Sequence, residues 1–410
     1  MIARLVDPNN EAALLAKTAR ERGDLVADLT IGVICGPQGV PVSLGNTLGV
    51  EMLNLGKRLN GEYGTYRNLA SSMSAVTQVL LGFLGIPYGE YKDRAVLGFT
   101  DGGGGTAGLC LAIGCVSLRG DDDPRVTTLV AEPFGWAGYP FIARRSGLDF
   151  REIDSLEVTS ADIQRLALDE ALVLQMPPHN GTGRVRPLDE WRAIARELAN
   201  KDAFPILDVA YFGMCHAHLP YDTAIAEASK VFCVFLEAGG RFALALSPTK
   251  MFGSFESRPG APVILFGRNA HERADLAATM AEMRRGGGDL FTGRSTAALV
   301  GACLYQMDGL KLDHAATLCR VDQARQLWRC HAKNTVLEDA FVDGRAGFFA
   351  YIVARPGAAQ ELRNAGIHCV HLNRGVLDTS EHLRVNVTAL PEHVAQKVVR
   401  HIATLATSVV

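Results

Sequence analysis

Lys250 stands in the stretch Ser247-Pro-Thr-Lys250-Met-Phe-Gly-Ser-Phe-Glu-Ser-Arg258-Pro-Gly260, directly after the apolar run Phe242-Ala-Leu-Ala-Leu246. The run reads as a buried strand. A hydroxyl, a lysine and then a glycine-containing loop with an arginine suit a reacting site better than a core. A lysine amine held against apolar walls condenses with aldehydes to a Schiff base. An arginine a short way along the chain can grip a phosphate with two parallel hydrogen bonds. The aldehyde that also carries a phosphate is pyridoxal 5'-phosphate.

Other polar residues fall at the ends of apolar runs. Asp101-Gly-Gly-Gly-Gly105-Thr106-Ala-Gly108 lies between a predicted strand and a predicted helix, where freed backbone N–H groups bind anions. Gly103, Gly105 and Gly108 also fit G-x-G-x-x-G, with Asp121 to Asp123 beyond, so a dinucleotide site stays open. Asp208, in Leu207-Asp208-Val-Ala-Tyr211, ends an apolar run. Buried, it needs a cation, and a protonated pyridine nitrogen serves; a helix N-cap is the alternative. Asn180, in Pro178-His-Asn180-Gly-Thr-Gly183, is either a ligand donor at a strand edge or part of a turn. Trp136 either stacks on a planar ligand or fills the core. Arg384, between Leu383 and Val385, either pairs with a carboxylate or binds one from a substrate. Tyr63 and Tyr66 are loop aromatics. His216-Ala-His218 beside Cys215 reads as a solvated loop, and no metal site is expected.

The elements that must position these residues alternate. Predicted strands are Ala95–Phe99, Thr127–Ala131, Asp149–Ile153, Leu172–Gln175, Phe204–Leu207, Val231–Phe235, Phe242–Leu246 and Val263–Phe266. Several are apolar throughout, which marks a mainly parallel sheet covered by helices. Pro187–Leu198 reads as an amphipathic helix with Leu188, Trp191, Ile194 and Leu198 on one stripe. After about residue 270 long helical patterns dominate (Glu272–Arg284, Ala297–Met307, Ala315–His331), then short strands at Gly347–Val353 and Leu383–Val387 and a closing helix. Gly286-Gly-Gly288 is the clearest break. The fold class expected is α/β, a large domain with a smaller α+β domain. The bounds expected are 1–44 for an N-terminal arm with part of the small domain, 45–285 for the large domain and 286–410 for the small one.

The 410 residues carry a net charge of −3 and are 48% hydrophobic, which argues against bulk electrostatic nucleic-acid binding. No apolar run reaches membrane-spanning length, and no signal-peptide pattern is read at the N-terminus. Nine cysteines without a Cys-x-x-Cys fit reduced thiols in a cytoplasm.

The order of these motifs resembles the class I aminotransferases of PLP fold type I, in the aspartate and aromatic aminotransferase branch. Gly104-Gly105-Thr106 matches the family's G-G-T, and Asn180-Gly181-Thr182-Gly183 its N-P-T-G with glycine for proline. Asp208-Val-Ala-Tyr211 matches D-x-A-Y. Ser247 to Gly253 with Arg258 matches the lysine motif, and Arg384-Val-Asn386 the R-x-N motif. The resemblance implies that Lys250 holds pyridoxal phosphate as an internal aldimine and shuttles the substrate proton. It implies that Asp208 pairs with the ring nitrogen, that Tyr211 and Asn180 bond the phenolic oxygen, and that Trp136 stacks on the ring. Gly104, Gly105, Thr106, Ser247 and Arg258 would cradle the phosphate, with Tyr63 of a neighbouring subunit. Ile31, Gly32, Asn180 and Arg384 would bind the substrate carboxylate.

Arg285, or Arg284, would select a side-chain carboxylate across a homodimer interface; a solvated helix terminus is the alternative. The expected activity is ping-pong transfer of an amino group between an amino acid, acidic or aromatic, and a 2-oxo acid. A lyase, decarboxylase or cyclase on the same fold is the first alternative, and a nicotinamide-dependent dehydrogenase a distant one. The partners expected are small molecules and a second copy of the chain, with neither nucleic acid nor membrane.

Overall fold

The computed structural model describes residues 7–58, 73–118, 126–155, 157–255, 257–286, 294–341, 345–372 and 380–408. Tyr63, Tyr66, Asp121 to Asp123, Gly287 and Gly288 lie outside them, as does the side chain of Arg285.

A short strand, β1 (Ala27–Asp28), precedes the large sheet. That sheet contains β2 (Ala95–Gly103), β3 (Thr128–Ala131), β4 (Asp149–Glu152), β5 (Glu170–Gln175), β6 (Ile206–Val209), β7 (Phe242–Leu246) and β8 (Gly260–Phe266), in the order β2-β8-β7-β6-β5-β3-β4. β8 is antiparallel to both its neighbours and the other pairings are parallel. β6, β7 and β8 are buried at every position. Alternate residues of β5 and β6 feed two cores: Leu172, Leu174 and Leu207 join Trp191 and Phe235, while Ala171, Val173 and Ile206 join the helix Gly104–Ser117. This is the pattern of a sheet with helices on both faces.

Two sequence expectations change here. Val231–Phe235 lies inside the helix Tyr221–Glu237, not in a strand. A five-residue apolar run carries no period of its own, and Val231, Phe232 and Phe235 pack as one helical stripe against the first core. The glycine tract is not a loop either. β2 runs through Gly103 and the helix begins at Gly104, with Gly103 as its N-cap at φ 81, a conformation that favours glycine.

A smaller antiparallel sheet follows, from β9 (Phe349–Ala354), β11 (Val370–His371), β12 (Glu381–Asn386) and β13 (Ala406–Ser408), in the order β11-β12-β9-β13. β10 (Ile367–His368) pairs in parallel with β1. The helices Met307–Ala332 and Ala395–Leu405 cover this sheet, and its core takes in Ala27, Leu29 and Ile34 from the N-terminal region. The helix Arg294–Tyr305 packs on the large sheet. Its Leu299, Val300, Ala302 and Cys303 belong to the core of the large sheet. Among the described residues no helix is long and apolar enough to cross a membrane.

Candidate active site

The carboxyl ends of the parallel strands gather the polar residues, as open α/β sheets do at their ligand crevices. β5 ends at Gln175, β6 carries Asp208, and β7 is followed by Ser247 and the one-turn helix Pro248–Met251 with Lys250 in it. Pro248 at the first helical position fixes φ where no N–H partner is needed. The resulting cavity of about 270 Å³ is lined by Gly32, Gly105, Thr106, Trp136, Asn180, Asp208, Ser247, Lys250 and Arg258, joined by Val33, Leu109, Ala210, Thr249 and Phe255.

Lys250 Nζ donates to Tyr211 Oη at 3.2 Å and lies 4.6 Å from the centre of that ring. Asn180 Nδ2 donates to the same oxygen at 2.7 Å. Tyr211 Oη thus accepts twice. Asn180 is held in turn by its own backbone, whose N–H donates to Gln175 Oε1 at 3.0 Å.

Asp208 is 6% exposed. Burial pushes its carboxyl above its ordinary value, against the Lys250 charge and the hydrogen bond of Tyr139. Tyr139 Oη donates to Asp208 Oδ2 at 2.7 Å. Tyr139 was not legible as a site residue: it reads as one more aromatic in Trp136-Ala-Gly-Tyr139.

At the other end of the cavity the helix Gly104–Ser117 opens beside Ser247. A Cβ on Gly105 would lie 2.7 Å from Ser247 Oγ and 2.9 Å from its Cβ, so glycine keeps that space clear. Gly104 lies beneath, facing Thr249. Ser247 Oγ and Thr249 Oγ1 are 3.2 Å apart. Arg258, at φ 35, extends its Nη2 to Gly103 O at 3.2 Å, which holds the cation over the helix N-terminus. N–H groups of a helix start, hydroxyls and a guanidinium form an anion cradle.

Arg384 comes from β12 and is 4% exposed. Its Nη1 donates to Asn180 Oδ1 at 3.0 Å, its Nη2 to Asn9 Oδ1, and its guanidinium carbon lies 4.2 Å from the centre of the Phe349 ring. Burial pushes the guanidinium down to about 10, opposed by Tyr211 and Asp7. Asn9 belongs to the helix Pro8–Arg22, and nothing in its sequence context marks it as a site neighbour. Asn386 Nδ2 donates to Ile31 O at 2.6 Å and Val33 O at 2.7 Å, which pins the Ile31–Val33 strip beside the cavity. Arg284 Nε donates to Phe99 O at 3.1 Å.

An aldehyde bearing a phosphate on an aromatic ring fits this set. The cavity offers an amine, an anion cradle whose depth depends on Gly105 lacking a side chain, and a buried carboxyl in its lining.

Comparison with known proteins agrees. The model of the family "Aminotransferase class I and II" matches residues 57–402. The cytoplasmic aspartate aminotransferase of Dictyostelium discoideum is 27% identical over 164 residues, 38% of this chain and 36% of that protein. The aromatic-amino-acid aminotransferase of Pseudomonas aeruginosa is 26% identical over 192 residues, 44% of this chain and 45% of that one. The chain thus matches less than half the length of these curated relatives. Solved structures align along nearly the whole chain. An aromatic-amino-acid aminotransferase from Burkholderia pseudomallei, covalently bound to pyridoxal phosphate, superposes with a TM-score of 0.78 at 18% identity over 99% of both chains. The broad-specificity aminotransferase of Leishmania mexicana gives 0.76 at 21% identity over 98% of this chain and 96% of that one. The fold is therefore PLP fold type I, and with the family match taking in the whole large sheet, the smaller sheet up to β12 and every residue of the lysine cavity from Gly105 onward, the chain belongs to the class I and II aminotransferases.

Proposed function

We propose that this chain is a pyridoxal-phosphate-dependent aminotransferase that moves an amino group between an amino acid, acidic or aromatic, and a 2-oxo acid by a ping-pong route. The observation that carries the reading is the Lys250 amine, hydrogen-bonded to a Tyr211 hydroxyl that Asn180 also holds, in a cavity floored by buried Asp208. When bound, pyridoxal phosphate supplies an aldehyde and a protonatable ring that draws electron density from the substrate Cα. Gly105, Thr106, Ser247 and Arg258 would hold its phosphate. Asp208 would face the ring nitrogen, and Trp136 would cover a ring face. Arg384, with the Ile31–Gly32 backbone, would bind the substrate carboxylate. The Lys250 amine would carry the proton removed from Cα.

The protein acts as a homodimer with shared sites in this reading, with Tyr63 and Arg285 contributed across the interface. The nine unpaired thiols support a reducing, cytoplasmic setting. The test is a single half-reaction. Protein loaded with pyridoxal phosphate and given one amino acid, with no acceptor, is expected to release one equivalent of 2-oxo acid and leave pyridoxamine phosphate. Release of carbon dioxide or of an eliminated product instead would assign a decarboxylase or lyase. Lys250→Ala should fold yet release nothing.

A further inference from the structure

Tyr139 opens the helix Tyr139–Arg145 behind the cavity floor. Its side chain is 2% exposed, and its hydroxyl reaches Asp208 Oδ2 at 2.7 Å. Its ring meets Trp136 edge-on, centroids 5.6 Å apart at 88°. A Cβ on Gly135 would lie 3.1 Å from the Tyr139 ring, so the turn before the helix closes directly on it. With its ring packed between this turn and Trp136, the phenol reaches the Asp208 carboxyl.

The carboxylate it touches is the one that would face a ring nitrogen. A proton shared between a carboxylate and a pyridine nitrogen goes to the stronger base. A hydrogen bond donated to the carboxylate stabilises its ionised form and weakens it as a base. Taking that bond away strengthens it.

Resting on the cofactor reading above, we propose that Tyr139 is a positioning residue that keeps Asp208 ionised and so keeps the proton on the ring nitrogen of the bound cofactor. No bond is made or broken; the proton between Asp208 and the nitrogen is displaced toward the nitrogen. A phenol suits the task because it supplies a donor without bringing a second charge. Burial and the Asp208 charge push the phenol well above its ordinary pKa, so it stays a donor. The other charge acting on this carboxylate is that of Lys250, the residue that would react with an aldehyde. Tyr139 donates to the carboxylate whatever the state of that lysine.

The experiment loads the protein with pyridoxal phosphate labelled with nitrogen-15 in the ring and reads the nitrogen chemical shift. In the wild type the signal is expected in the protonated-pyridine range. In Tyr139→Phe, which keeps the ring against Trp136, it is expected to move toward the unprotonated range, with the half-reaction slowed about tenfold to a hundredfold. Tyr139→His, which restores a donor, is expected to bring the signal back. Should the Phe variant fail to fold, Tyr139→Met is the second donor-free variant, with the same expectation. A wild type that binds the cofactor beside a donor-free variant with an unchanged signal overturns this inference alone. A wild type that takes up no cofactor overturns the reading of the site and this inference with it.

Discussion

Arg384 and Asn180, 204 residues apart in sequence, are joined by a hydrogen bond of 3.0 Å from Nη1 to Oδ1. The bond fixes more than a distance. With its oxygen committed to Arg384, the Asn180 amide must present Nδ2 to Tyr211 Oη, and it does so at 2.7 Å. Lys250 Nζ donates to that same Tyr211 oxygen at 3.2 Å. A guanidinium on the smaller sheet is thus linked to the Lys250 amine, in the helix that follows β7, through two side chains. Whatever draws Arg384 toward a carboxylate pulls on the hydrogen bonds of Tyr211.

Arg384→Lys tests that link. Lysine keeps the charge but has no planar fork with which to hold a carboxylate and Asn180 together. The affinity for an amino acid, read from the spectral change on titration, is expected to fall about tenfold to a hundredfold, a loss on the order of 1.4–2.7 kcal/mol. Cofactor content should be unchanged. Substrate affinity equal to wild type would show that the carboxylate binds elsewhere.

What the sequence makes legible here is local. Lys250, Asp208, Asn180 and the glycines announce themselves because each is a polar or strained residue beside an apolar strand, where a core has no use for it. The large sheet is legible for the same reason, from strands with no polar face. Tyr139 and Asn9 are silent. An aromatic near a tryptophan and an asparagine near a helix start have ordinary uses, and only the tertiary fold brings one to Asp208 and the other to Arg384. The helix Arg294–Tyr305 is legible as a helix but not as to which core it joins, since its apolar stripe suits either.

Gly181 departs from the proline of the related motif, and Phe134 supplies a physical reason. Phe134 sits at φ 57 with its ring 4.9 Å from that of Tyr351. A Cβ on Gly181 would lie 2.7 Å from Phe134 Cβ and closer still to its carbonyl oxygen. Gly181→Pro, which restores the motif, is therefore expected to destabilise the protein by about 1–3 kcal/mol through overpacking. Urea denaturation of the two proteins measures it. Equal midpoints would mean that the Phe134 turn yields freely.

Gly105→Ala probes the anion cradle. The added methyl meets Ser247 at both Oγ and Cβ, so the helix start and the hydroxyl must separate before a phosphate can touch both. Pyridoxal phosphate affinity is expected to fall about tenfold or more, a single lost charge-assisted hydrogen bond being worth roughly 1.5–3 kcal/mol. Affinity for pyridoxal without its phosphate should change little. A loss of equal size for both ligands would place the phosphate away from Gly105.

His314 sets a pH dependence on stability. It lies on the helix Met307–Ala332 among Phe83, Phe212 and Phe252, with Nε2 2.9 Å from Phe212 O and Nδ1 3.2 Å from Tyr221 Oη. Burial pushes the imidazole down from 6.5 to about 4, the Phe212 carbonyl opposing. Between those two values the unfolded chain holds a proton that the folded chain refuses. The native state keeps its full stability above the unfolded value and loses it as pH falls through the window, by on the order of 3 kcal/mol at the lower end. Urea midpoints taken across the window should decline with falling pH. His314→Gln, which cannot titrate and can still donate an N–H to the Phe212 carbonyl, should decline less steeply, by close to one proton's worth of slope. Parallel declines in the two proteins would show that His314 takes up its proton while folded.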